Sequence, residues 1–200
     1  MDPPLPPFPA PNNFRDTTSL PTDHVSMTRE EALANLHDTV AFWSIGSATA
    51  VDVVRAACDC LVAGVDSPTL RILAGVSPLK GSEDDELRRW LADAFAELSL
   101  TYYGEESRKA EEEVLRIMAR RLLARKIAPR ELTSWVSQFI TYAGTPLAGE
   151  LINLESAYEY VEAANEVHML VSTKPEDLDA EVIAEARRLV GDSGAGKDQG

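Results

Sequence analysis

The 200-residue chain has two cysteines, three histidines and 6% aromatic residues, and its 19 Lys plus Arg stand against 33 Asp plus Glu, a formal net charge of -14. Each shortage argues against a class of function. Cys58 and Cys60 lie two apart on a predicted helix, so their side chains diverge by roughly 200° and neither bridge each other nor share a helical metal site. A reduced compartment is the expected setting. No run of about 18 apolar residues is present, and the N-terminus has neither a basic n-region nor an apolar h-region. A membrane association is therefore not expected, and a cytoplasmic location is. The acidic balance argues against nonspecific duplex nucleic-acid binding, which depends on neutralising phosphates, and makes a basic protein the more natural partner.

The familiar catalytic templates are missing as well. There is no HExxH, no CxxC and no GxSxG elbow; Gly46 and Ser47 lack the second glycine and the strand. Only His24, His37 and His168 could act as bases near neutral pH. His37 and Asp38 are adjacent, so on a helix they point about 100° apart. Glu166 and His168, two apart, do not match the Glu and His three apart that a di-iron bundle carries on two helices. Glu83, Asp84, Asp85 and Glu86 are consecutive, unlike the alternate ligands of a calcium loop, and read as first-turn acids following a Ser82 cap. Gly191, Gly196 and Lys197 match GxxxxGK, but Asp198 replaces the required Ser or Thr and the pattern leaves a helix instead of a strand. No catalytic, cofactor-binding or metal-binding residue is assigned, although a triad assembled by the fold need not be close in sequence.

What is present is helix. The stretch Ser47 to Val76 reads as two helices joined by a short corner. Val51, Val54, Cys58, Leu61 and Val65 mark the apolar face of the first; Gly64 is placed for positive φ past its last turn, and Ser67 caps a restart with Pro68 in the first helical position. Gly75, Val76, Ser77 and Pro78 echo that device. Thr28 and Glu31 form a capping box for a helix with Leu33, Leu36, Val40 and Trp43 on one face, ending near Gly46. Leu87, Trp90, Leu91, Ala94, Phe95 and Leu98 mark the most regular helix, and Leu132, Trp135, Val136, Phe139 and Ile140 a counterpart started by Pro129. Between them a long helix is expected from about Glu106 to Ile127, with Arg116, Arg120, Arg121 and Arg125 along it. A helix after Pro146 carries Leu147, Leu151, Leu154, Tyr158 and Val161. The last, beyond Pro175, carries Val182, Ile183, Ala186, Leu189 and Val190.

The expected fold is one all-α domain of about seven to eight helices over residues 27–190, with a Pro-rich disordered leader at 1–26 and a flexible Gly-rich tail at 191–200. The leader's Pro3, Pro6 and Pro9 also permit docking into an aromatic groove.

One surface stands out. Glu155, Glu159, Glu162 and Glu166 repeat at helical spacing beside the Leu151 to Val161 face, and like charges so placed repel by roughly 0.2–0.5 kcal/mol per pair unless a cation lies close. The stripe predicts a contact with the Arg116 to Arg125 helix or with a basic protein. The leading expectation is a non-enzymatic protein-binding regulator of adaptor or neutraliser type. The alternative is a small-molecule-binding helical domain or an enzyme with a pocket between the Trp90 and Trp135 helices, with Tyr102, Tyr103 or His168 nearby. A homodimer is a further possibility.

Overall fold

The computed structural model describes residues 27–77, 83–105, 107–140, 143–169 and 172–191. The leader, the Ser82 cap and the tail after Gly191 fall outside them. Among the described residues there are eight α-helices and no strand: α1 Arg29–Ser44, α2 Ala50–Val62, α3 Pro68–Ala74, α4 Glu83–Glu97, α5 Arg108–Leu123, α6 Pro129–Phe139, α7 Gly149–Glu166 and α8 Pro175–Gly191. A single 3-10 turn, Pro146–Ala148, leads into α7. Among these helices none is long and apolar enough to cross a membrane.

The helices start and stop where local chemistry dictates. Thr28 and Glu31 form the expected capping box, and Thr49 with Asp52 forms a second one opening α2. Ser67 accepts from the Leu70 N–H at 3.2 Å, with Pro68 in the first helical position of α3. At the end of α2, Gly64 takes φ +79° while the Val65 N–H reaches back to the Cys60 carbonyl at 2.9 Å. That is a left-handed cap with a buried residue after it, and Val65 is fully buried. Gly75 does not repeat the device: its φ is -90°, so the echo between the two corners is limited to their sequence. Ser99, Arg125 and His168 adopt the same left-handed cap without being glycine, at φ 56°, 57° and 55°. The cap at Arg125 ends α5 at Leu123, short of the expected Ile127.

Two cores form. Leu36, Val40 and Trp43 of α1 pack with Val53, Cys60, Leu70, Leu73, Leu87, Leu91 and Phe95 in a core made by α1 to α4. Ala41 and Phe42, also of α1, belong to a second core with Val114, Met118, Leu132, Val136, Leu151, Tyr158, Val182 and Leu189. Phe42 and Trp43 point about 100° apart because they are consecutive on a helix, and that step lets α1 serve both cores. Helix α1 packs on both α2 and α5 and so joins the two halves.

The buried face of α2 is shifted by one residue, about 100°, from the expected one. Val53, Ala56, Ala57 and Cys60 are buried, whereas Val51 and Cys58 are exposed and Val54 and Leu61 are only half-buried. Small side chains let α2 lie close against α1, and interaxial distance depends on the residues at the contact. Val51 and Val54 are therefore displaced outward.

This phase decides thiol chemistry. The Cys60 S–H donates to the Ala32 carbonyl at 3.2 Å, and burial pushes its pKa up to about 11. The thiolate is the reacting form. With Ellman's reagent near pH 8, Cys58 is expected to react in the native protein and Cys60 only after unfolding; a Cys60 that reacts faster than Cys58 in the native protein would place α2 in the other phase.

Candidate functional site

The 18 residues of α7 carry the carboxylate stripe, and the helix turns its two sides to different uses. Leu151, Leu154, Tyr158 and Val161 are buried as expected, and so is Glu155, at 6% exposure. A buried carboxylate is costly unless paired. Its partner is Arg130 in the first turn of α6, whose Nη1 lies against the Glu155 carboxylate. The same guanidinium donates from Nε and Nη2 to Glu162 at 3.3 and 3.2 Å. It also stands 5.0 Å over the Tyr158 ring. Burial works against the Arg130 charge, and the hydrogen bonds to Glu155 and Glu162 outweigh it, so its pKa is raised. Tyr158 extends the network by donating to Asp179 of α8 at 2.5 Å. Burial first and this hydrogen bond second raise the phenol's pKa well above its ordinary value of 10.0.

Arg130 thus divides the stripe. Glu155 and Glu162 are held by α6, whereas Glu159 and Glu166 are exposed and have no ion-pair partner among the described residues. The expected partner helix is a different one: Arg116 pairs within α5 with Glu112 at 3.6 Å and Glu113 at 3.9 Å, Arg120 pairs with Glu113 at 3.0 Å, and Arg121 lies 4.0 Å from Asp38 of α1. Beside the free carboxylates runs an apolar ridge that hydropathy periodicity passes over because it faces outward. Tyr160 and Val167 are 57% and 71% exposed, Ala163 lies between them, and Met169 follows at 49%.

The alternative pocket does not assemble. Trp90 packs against the first core and Trp135 against the second. Tyr102 meets Phe95 edge-on at 5.7 Å and Tyr103 meets His37 at 6.2 Å. His168 is exposed in the left-handed cap that ends α7. Trp135 instead lines a groove of about 410 Å³ with Phe42, which it meets edge-on at 5.7 Å. A second open cleft of about 410 Å³ lies beside Trp43. There Arg88 is already paired with Asp85 at 2.9 Å and Glu105 at 2.7 Å, and Trp43 donates to Asp84 at 3.0 Å.

Two outcomes follow from the Arg130 network. Arg130→Ala strands the Glu155 carboxylate and is expected to lower unfolding free energy by about 3 kcal/mol, most of it recovered when Glu155→Leu is added to Arg130→Met. Chemical denaturation of the single and double variants checks this. Because Tyr158 is raised on folding, its contribution is complete below the ordinary phenol pKa of 10.0 and is lost as pH rises further toward the folded value. Denaturation midpoints of the wild type should fall more steeply above pH 10 than those of Tyr158→Phe. No family model, curated protein or solved structure matches the chain.

Proposed function

We propose that the chain is a non-enzymatic, acidic protein-binding regulator of adaptor or neutraliser type that presents the outer face of α7 to a basic partner. The observation that supports it is the meeting of unpaired carboxylates and exposed apolar side chains on one helix face: Glu159 and Glu166 flank the Tyr160, Ala163 and Val167 ridge. Each component has a separate role. A net charge of -14 accelerates encounter with a cation-rich surface and makes it salt-sensitive. The apolar ridge supplies the short-range contact that charge alone does not, since exposed apolar patches rimmed by polar groups mark contact sites. A segment with Lys or Arg beside one or two apolar anchors is complementary to this face. A second copy of the chain brings the same negative charge and is the poorer fit.

Capture from the native host at low salt tests the reading. Wild-type protein should retain a basic partner that is released by raised salt, and Glu159→Lys with Glu166→Lys should abolish retention while leaving the melting temperature unchanged. Arg125→Glu, on the exposed end of α5, should retain it. No partner at low salt, or a partner indifferent to the charge reversal, would count decisively against the proposal.

A further inference from the structure

The groove beneath Trp135 is built from four helices and the turn between α1 and α2, and it owes nothing to α7. Phe42, Met118, Ile127 and Trp135 supply apolar and aromatic walls, and two charged residues reach it from different elements, Arg121 from α5 and Asp52 from α2. Arg121 is fixed by its surroundings. Its guanidinium carbon stands 4.6 Å over the Phe42 ring, and Nη1 lies 3.9 Å from the Met118 sulfur. Its carboxylate neighbour, Asp38, is 4.0 Å away. A guanidinium offers five N–H donors, so several remain for an incoming carboxylate. Asp52 is fixed through one oxygen: Oδ2 accepts from the Thr49 backbone N–H at 3.0 Å and from its hydroxyl at 2.6 Å. Those bonds hold its pKa below the usual value, so the carboxylate is charged, and Oδ1 has no hydrogen-bond partner among the described residues. The Trp135 indole N–H is already used, donating to the Ser47 hydroxyl at 3.0 Å, which orients the ring as a wall.

We propose that this groove binds a small aromatic zwitterion, its ring laid against Trp135, its carboxylate on Arg121 and its ammonium on Asp52. A pure anion would meet Arg121 but oppose Asp52, and a pure cation would do the reverse. Only a ligand carrying both charges uses each fixed residue favourably. About 410 Å³ lies within the usual range of a small-molecule site. This site is independent of the α7 surface, and either can fail without the other.

Four indoles used as probes on the full chain separate the terms: L-tryptophan carries both charges, tryptamine the ammonium, indole-3-propionate the carboxylate and indole neither. Calorimetric Kd values, with the Trp135 indole N–H resonance as the reporter of place, should rank tryptophan about tenfold tighter than either singly charged probe. Arg121→Gln should erase the gap between tryptophan and tryptamine. Asp52→Asn should erase that between tryptophan and indole-3-propionate, and Arg125→Gln should change neither. Melting curves of each variant ensure that a folded protein is compared, and because Arg121 caps no helix its variant decides the matter even where Asp52→Asn weakens α2. Equal affinity for all four probes, or no shift at Trp135 with any, would overturn the proposal. A Trp135 shift that depends on protein concentration without ligand would assign the groove to a second copy and overturn it equally.

Discussion

Arg130 carries on one guanidinium the Glu155 carboxylate that α7 buries, the Glu162 carboxylate further along the same helix and the face of Tyr158, whose hydroxyl holds Asp179 of α8. Two helices meet on that one cation, and α8 joins them through the Tyr158 hydroxyl. The geometry is demanding because a charge taken from water must be repaid by attraction and by completed hydrogen bonds, and removing one partner leaves the other stranded. The network therefore sets the rotation of α7. With Glu155 turned toward α6, and Leu154, Tyr158 and Val161 toward the core, the remaining side has to face water. That side is where Glu159, Tyr160, Ala163, Glu166 and Val167 stand.

A comparable constraint joins the two cores. Helix α1 places Trp43 in one core and Phe42 in the other, and the Trp135 N–H reaches across to Ser47 in the turn that follows α1. The aromatic groove lies along this seam. Its charged residues are anchored by separate local devices: Asp52 by a helix cap and Arg121 by a ring and a sulfur. Neither anchor is at the α7 surface, so the molecule presents two distinct chemistries, an acidic face with an apolar ridge and an open aromatic groove with one charge of each sign.

Much of this architecture was legible in the residues. The capping pair Thr28 and Glu31, the Gly64 to Pro68 corner, and the faces of α4, α7 and α8 follow from periodicity and cap chemistry, which act within a few residues. The face of α2 did not, because periodicity weighted Val51, Val54 and Leu61 above Ala56 and Ala57, whereas close helix packing favours the small side chains. The fate of the glutamate stripe was half legible. The need for a cation near Glu155 follows from like-charge spacing, but which arginine supplies it depends on how α6 lies against α7, and Arg130 is 25 positions before Glu155. The tryptophans show the same limit. Matching phase on two helices does not bring Trp90 and Trp135 together, and Phe42, the actual neighbour of Trp135, was hidden beside the more conspicuous Trp43. The apolar ridge left no mark in a search for buried faces, since its residues are the ones the core does not use.

The central claim is that Arg130 holds two of the four stripe carboxylates of α7, Glu155 and Glu162, and leaves Glu159 and Glu166 facing outward. Carboxyl footprinting with a carbodiimide and a small amine, read residue by residue in the native chain by mass spectrometry, tests it most directly. Glu159 and Glu166 should label fast, Glu162 more slowly and Glu155 only under conditions that unfold the protein. Equal native labelling of all four, or fast labelling of Glu155, would contradict the account.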